Sequence, residues 1–273
     1  MNEELKSIGY HILQVHGIDI SKYDVTFLDK AVQRRMKDTL CTSQAAYYLF
    51  MEQSHFESVV FINSLQISYS EFFRNSLTFS VLEKIILPSM LLNKSTTARN
   101  EIRIWSAACA GGQETYSLAM LLHELTNSSH GKINFRIFAT DQSEIQIKEA
   151  QTGEYPESAL NGLSLKRVNH WFTKTGEIYT VKPELKENIE FSVFDLLNDQ
   201  FSCPPTSIFG DFDLIVCANI LFYYHPEFQN KIITKSRNCL SENGYLITGE
   251  TERDLLFQSG FHEVYPQTAI FKI

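Results

Sequence analysis

From about residue 100 onward the chain repeats one pattern: a short β-rich run, a turn, then a helical run. EIRIWSAA leads through CAGG into TYSLAMLLHEL, and KINFRIFATD into SEIQIKEAQ. IEFSVFDL is a third buried run, and DFDLIVCAN leads into HPEFQNKIITKSRNCL and then GYLITGE. Parallel strands need long crossovers, so strands alternating with helices specify a parallel sheet covered on both faces. The tail, GFHEVYPQTAIFKI, carries two short β-rich runs around a turn containing Pro266 and no helical signal. It predicts an antiparallel hairpin at a sheet edge. Between Gly153 and Glu190 the rhythm breaks into turn residues and short β candidates such as GEIYTV, the mark of an insertion.

The first ~65 residues read differently, as helices. No glycine occurs between Gly17 and Gly111, which suits an extended helical region. QAAYYLFMEQ and HFESVVFINSL are two helical runs. In LDKAVQRRMKDTL, apolar Leu28, Ala31, Val32 and Met36 share one face. Lys30, Arg34 and Lys37 recur at i, i+4 and i+7 on the opposite face, with no acidic residue between Lys30 and Lys37. Such a stripe is either a solvated helix face or a docking surface for an acidic partner.

Charge and cysteine usage narrow the classes. Residues 1–100 hold ten basic and ten acidic groups, so the net charge of −8 falls wholly on residues 101–273. An acidic main body argues against general nucleic-acid binding, which needs a basic footprint. The five cysteines (41, 109, 203, 217 and 239) form no CxxC pair and no zinc spacing, so reduced thiols, a cytoplasmic setting and no metal are expected. Apolar runs such as IILPSMLL fall far short of the ~20 residues that span a bilayer, and the N-terminus has no secretory pattern.

In open α/β sheets, ligands bind at the carboxyl ends of the strands. The first strand ends in WSAACAGGQETYS (Trp105–Ser117). Its small residues let a ligand approach the backbone. It is neither GxGxxG nor a Walker A loop, which disfavours a pyrophosphate ligand and a nicotinamide dehydrogenase. Asp141 ends the second strand, where a carboxylate either accepts both ribose hydroxyls of a nucleoside or caps the next helix. Glu114, in the first turn of the following helix, is either a dipole-favoured residue or an acceptor for a ligand ammonium. A ligand with a cationic centre and an amino group, such as S-adenosylmethionine, suits these acids. The fourth strand ends in CANILFYYHP (Cys217–Pro226), which puts Asn219 and Tyr223 near a cofactor's reactive end or makes Tyr223 a core-edge aromatic. In SYSEFFRN, Phe72 and Phe73 read as core anchors, and Arg74 as a carboxylate-binding donor or a surface arginine.

Together these pieces resemble the CheR-type chemotaxis receptor methyltransferases, over nearly the whole chain. AVQRRM matches the family's basic helix with paired arginines, SEFFR its Thr-x-Phe-Phe-Arg signature, and WSAACAGGQETYS its W-S-A-A-x-S-x-G-E-E-P-Y-S motif. FATD, ANILFYY and GETE match the acid after the second strand, the R-N-V-x-I-Y-F element and the late G-x-S-E element. Any one is weak; six in order are specific.

The resemblance implies an α/β fold: a class I S-adenosylmethionine-dependent methyltransferase (Rossmann-like) sheet, with an all-helical N-terminal domain at 1–66. A linker and methyltransferase domain at 67–273 would follow, with a small β-subdomain at about 155–190. It implies methylation of glutamate carboxylates on chemotaxis receptors, with S-adenosylmethionine as cofactor and S-adenosylhomocysteine as product. By position, Ser68, Ser70, Arg74, Ala107, Gly112 and Glu114 would hold the cofactor. So would Asp141 at the ribose, Asp195 and Leu196 beside the adenine, and Ala218 and Asn219. Tyr223 and Arg74 would act at the reacting groups, and Lys30, Arg34, Arg35 and Lys37 would dock an acidic helical receptor. The partner expected is such a receptor, with neither nucleic acid nor membrane insertion, and the chain is expected to be a monomer.

Four positions depart from the family pattern. Gln113 replaces the first acid of a Glu-Glu pair, Thr115 a helix-starting Pro, Ala218 an Arg and Ser68 an Asn. Each lost hydrogen bond would weaken cofactor binding by ~0.5–1.5 kcal/mol, more where charge is lost. A non-catalytic cofactor-binding adaptor or sensor, and a methyltransferase acting on another protein, small molecule or nucleic acid, therefore remain open from sequence.

Overall fold

A computed structural model describes residues 2–66, 69–94, 100–128 and 134–273. The chain divides into two units, residues 1–67 with 221–230, and residues 68–220 with 231–273.

The first unit is built on four helices, α1 (Glu3–His16), α2 (Val25–Asp38), α3 (Gln44–Gln53) and α4 (His55–Ser64). Each starts on a side-chain cap: Asn2 accepts from Leu5 N–H, Asp24 from Thr26 and Phe27, Ser43 from Ala46 and Ser54 from Glu57. Gly17 closes α1 at φ 68°, a left-handed conformation that costs glycine little. Leu5, Ile8 and Ile12 of α1, Leu28, Ala31 and Val32 of α2, Tyr47 and Met51 of α3 and Phe61 of α4 are all buried. Helix α2 begins at Val25, three residues before the expected Leu28, because Asp24 supplies the cap. It ends before Leu40, which lies outside it at φ 58° and is 87% exposed. The segment 221–230 joins this unit through a bridge between Tyr23 and Tyr224, whose rings stack 5.3 Å apart.

The second unit opens with α5 (Ser76–Val81) and α6 (Leu87–Lys94), continuous through one π-helical stretch, Leu82–Ile86. The main sheet and its helices follow: β1 (Glu101–Ala107), α7 (Gln113–Ser128), β2 (Asn134–Asp141) and α8 (Glu144–Thr152). Next come β3 (Glu154–Pro156), α9 (Leu165–Trp171), β4 (Phe172–Thr175), β5 (Ile178–Val181) and α10 (Pro183–Lys186). The chain then forms β6 (Ile189–Val193), β7 (Phe212–Val216), α11 (Pro226–Cys239), β8 (Leu240–Ile247), α12 (Arg253–Gln258), β9 (His262–Glu263) and β10 (Ile270–Lys272).

The seven-stranded sheet runs β6-β2-β1-β7-β8-β10-β9. Its first five strands are parallel, and β10 is antiparallel to both β8 and β9. The tail thus forms the antiparallel edge that its turn signal predicts. In β1 and β2 the residues facing both ways are buried, as a sheet covered on two sides requires. Trp105 and Phe138 are fully buried, and Trp105 donates from Nε1 to Thr140 Oγ1 at 2.9 Å. The strand order reverses between β1 and β7, the switch point where ligands bind in such sheets. The interruption in the rhythm is a separate three-stranded antiparallel sheet, β3-β5-β4.

Candidate functional site

The turn after β1 is tightly held. Ala108 (φ 58°), Ala110 (φ 47°) and Gly112 (φ 89°) alternate in left-handed conformations. Such strain persists only where surrounding bonds over-determine it. Here Cys109 N–H donates to Thr140 O at 2.8 Å, Tyr155 Oη to Gly111 O at 2.6 Å and Ala110 N–H to Asp141 Oδ2 at 3.0 Å. A Cβ on Gly112 would sit 2.9 Å from the Ala150 Cβ, so α8 closes on this turn because glycine is there. The sequence signal of small residues therefore has two causes, backbone conformation and helix approach.

Asp141 ties two strand ends together. Its Oδ1 accepts from Ser143 N–H at 2.9 Å while Oδ2 holds the β1 turn. The cap of α8 is Ser143, not Asp141. Burial raises the Asp141 pKa against the lowering effect of these N–H groups. The carboxylate keeps acceptor capacity beyond these N–H groups. The Asp141 carbonyl also accepts from Phe194 N–H at 2.9 Å, bringing in the segment after β6. There Asp195 Oδ1 accepts from Leu197 N–H at 2.9 Å and Leu196 is buried. Asp195 makes its turn immediately beyond Val193, so β6 ends before the expected run does.

A pocket enclosing about 320 Å³ of empty space, part of it open to solvent, lies beside the ends of β7 and β8. Its walls include Arg74, Asn75, Glu114, Ala218, Asn219 and Thr248. Four of these are residues that the sequence singles out. Glu114 Oε1 accepts from Ser106 Oγ at 3.2 Å, and Thr115 Oγ1 donates to the same Ser106 hydroxyl at 3.0 Å. Thr115, a departure from the family pattern, is thus fully buried and bonded. Glu114 is pushed up to about 7, chiefly by burial, against the Ser106 bond and the nearby Arg74 charge. Gln113, the other departure in this turn, leaves its Oε1 buried with no hydrogen-bond partner.

Arg74 sits between two left-handed residues, Phe73 (φ 52°) and Asn75 (φ 60°). Phe73 N–H donates to Ser117 Oγ at 3.0 Å, which pins the segment to α7, and Phe72 is buried against Tyr155 and Phe172. Both phenylalanines are anchors, and the arginine beside them reaches the pocket wall. Ser70 is half-buried and is not part of that wall; Ser68 lies outside the described residues. Asn219 adopts φ 61°, and its N–H donates to Glu252 Oε2 at 2.9 Å. Glu252 has no assigned role from sequence, although it ends the GETE motif. Asn75, Thr78 and Thr248 also line the pocket without a motif to mark them.

Tyr223 belongs to the first unit. Its carbonyl accepts from Asp24 N–H at 2.8 Å, and its ring meets Phe27 edge-on at 5.1 Å. On α2, Lys30, Arg34 and Lys37 are exposed as the periodicity predicts. Arg35 differs from them in being engaged within the unit. Its Nε and Nη2 donate to Glu57 at 2.8 and 2.7 Å, and its Nη1 lies 2.9 Å from Asp38. Glu57 is 4% exposed and also accepts from Tyr47 Oη at 2.8 Å.

The donor set fits an S-adenosylmethionine molecule: a glycine-bearing turn after β1 with no phosphate-loop pattern, a buried acid, Asp141, at the end of β2, and Arg74 and Glu114 lining one pocket. Fold and site define an S-adenosylmethionine-dependent methyltransferase. Residues 68–268 match the family described as CheR methyltransferase, SAM binding domain. The chain belongs to that family. It is similar to the chemotaxis protein methyltransferase of Listeria monocytogenes, 30% identical over 239 residues that cover 88% of this chain and 86% of the relative. A Borreliella burgdorferi protein of the same name is 29% identical over 255 residues, 92% and 88% of the two chains. Chemotaxis protein methyltransferase 1 of Pseudomonas aeruginosa is 33% identical over 195 residues, 70% and 68%.

Proposed function

We propose that the protein methylates glutamate side chains on chemotaxis receptors, with Arg74, Glu114, Asp141 and Asn219 forming the cofactor-side machinery. The observation that carries this reading is the meeting of Arg74, Glu114 and Asn219 in one pocket at the sheet's switch side. The cofactor supplies the sulfonium methyl and its thioether leaving group. Asp141 receives the ribose hydroxyls, and Asp195 with Leu196 flanks the adenine. Glu114 accepts the ammonium of the methionine portion.

A glutamate carboxylate, with an ordinary pKa near 4.3, is ionised at pH 7 and needs no general base to attack a methyl group. The chain's task is positioning, an effect worth ~7–11 kcal/mol in favourable cases. Arg74 orients the attacking carboxylate and Tyr223 hydrogen-bonds near the transferring methyl. Lys30, Arg34 and Lys37 dock an acidic helical receptor surface, and the chain works in the cytoplasm.

The test is calorimetric titration with S-adenosylmethionine and S-adenosylhomocysteine, on the protein and on Asp141→Ala. It is followed by transfer of labelled methyl to a receptor signalling fragment. Micromolar binding lost in the variant, and label released as methanol by mild base, are expected, because glutamate methyl esters are base-labile. Binding without transfer to any receptor fragment would replace the enzyme by a cofactor-binding adaptor.

A further inference from the structure

The buried carboxylate of Glu252 stands behind the pocket rather than in its wall. It is fully buried, at the start of the helical turns after β8. One of its oxygens, Oε2, accepts from two backbone N–H groups on different strand ends: Asn219 at 2.9 Å, beyond β7, and Gly249 at 2.7 Å, beyond β8. A carboxylate oxygen has lone pairs for two such donors. Between these two points the backbones approach closely. A Cβ on Gly249 would fall 2.3 Å from Asn219 Nδ2 and 3.0 Å from Asn219 N. Gly249 has an ordinary φ of −71°, so glycine is required there by space, not by conformation.

Asn219 sits at φ 61°, in the left-handed region that asparagine tolerates better than other side-chain-bearing residues. The hydrogen bond from its N–H to Glu252 fixes it there, and the bare Cα of Gly249 is the surface its side-chain amide rests on. Asn219 lines the pocket and Glu252 does not.

We propose that Glu252 is a positioning residue for methyl transfer: it clasps the ends of β7 and β8 and, with Gly249, aims the Asn219 amide at the cofactor. The proposal rests on the reading above that Asn219 touches S-adenosylmethionine. The carboxylate works as a hydrogen-bond acceptor, so a glutamine, which can place its own oxygen at the same point, replaces it. Gly249 works as vacant space, so even alanine disturbs the same side chain from the other side with Glu252 intact.

The experiment measures the Kd of S-adenosylmethionine by calorimetry, the receptor-fragment KM and the ligand-free melting temperature. It compares the wild type with Asn219→Ala, Glu252→Ala, Glu252→Gln, Gly249→Ala and the Asn219→Ala/Glu252→Ala double variant. Asp141→Ala serves as the independent control on the cofactor site. Asn219→Ala is expected to raise Kd about tenfold, the effect of one lost hydrogen bond. Glu252→Ala and Gly249→Ala are expected to raise it by a similar factor with the receptor KM unchanged. The double variant should be no weaker than the singles, because residues acting through one contact are not additive. Glu252→Gln should return to within about threefold of wild type, the range of a retained neutral hydrogen bond.

Three results would overturn the proposal while leaving the cofactor site standing. One is a Glu252→Ala protein that melts lower but binds S-adenosylmethionine as wild type does. Another is a double variant whose losses multiply. The third is a Glu252→Gln protein as weak as Glu252→Ala, which would assign the effect to charge rather than to the clasp. If Glu252→Ala does not fold, Gly249→Ala and Glu252→Gln decide alone. If the wild type binds no cofactor, or Asp141→Ala binds like wild type, the cofactor-site reading fails first and takes this inference with it.

Discussion

Replacing Arg35 by alanine separates fold from docking on a single helix. The side chain is 15% exposed and makes a bidentate pair with Glu57, which is 4% exposed. Without the guanidinium, Glu57 keeps the Tyr47 hydroxyl, itself fully buried, against a carboxylate charge that has lost its counter-ion. Breaking a buried pair from one side costs about 3–5 kcal/mol. Arg35 lies at the rim and water can enter its place, so the lower end applies, about 3 kcal/mol. Urea unfolding followed by far-UV circular dichroism reads this directly. Lys30→Ala, Arg34→Ala and Lys37→Ala, on the exposed face, should each stay within about 0.5 kcal/mol of wild type. The combined replacement Arg35→Met, Glu57→Leu and Tyr47→Phe should recover most of the loss, since it leaves neither a charge nor the buried Tyr47 hydroxyl uncompensated. If Arg35→Ala cost less than about 1 kcal/mol while receptor binding fell as for Arg34→Ala, the network would not be structural and the reasoning would fail.

Other outcomes follow from the same geometry. The triple variant Lys30→Ala, Arg34→Ala and Lys37→Ala should raise the receptor KM with kcat nearly unchanged, and the gap should shrink at high salt; a fall in kcat alone refutes docking. Glu114 stands at about 7 in the folded chain against 4.5 unfolded, so the folded state holds the extra proton. Its contribution to stability is present below pH 4.5 and is lost as pH rises through 7, by up to about 3 kcal/mol. Glu114→Gln should flatten that slope in denaturation midpoints measured from pH 4.5 to 8. S-adenosylmethionine should bind more tightly as Glu114 ionises across pH 6 to 8, and calorimetry on Glu114→Gln should show no such gain. Gly112→Ala forces a Cβ to 2.9 Å from Ala150 at φ 89°; a loss of roughly 1–3 kcal/mol is expected, with weakened cofactor binding in the same titration.

The sheet is legible because its two periods differ: buried β-rich runs and amphipathic helices alternate from Glu101 to Thr152 and again from Phe212 to Ile247, on either side of the insertion. The ends of elements were less so. Helix α2 starts at a capping aspartate that lies before its apolar period, and β6 stops where Asp195 folds back on Leu197. At the site, Glu114, Asp141 and Asn219 were marked by their place at strand ends. The Arg35–Glu57 pair is not legible, because adjacency to Arg34 says nothing about helix face: one step of 100° turns Arg35 from the solvent stripe toward Glu57, 22 positions away in sequence. Glu252 shows the same limit. Its bond to Gly249, three residues before it, has the local spacing of a capping box, but only the folded chain brings Asn219 to the same oxygen.

The segment 221–230 has a practical consequence for dissecting the molecule. Because this stretch packs with residues 1–67, the helical unit is not a contiguous piece of sequence, and no single cut releases it whole. A fragment ending near residue 66 would uncover Tyr23, which is 7% exposed, by removing the Tyr224 ring that stacks on it. A fragment beginning near residue 68 would in turn strip the Tyr23 ring from Tyr224, itself 3% exposed. Complementation by mixing the two fragments, rather than the activity of either alone, is therefore the fair assay of what each part contributes. The basic stripe and Tyr223 are inherited together, as one body.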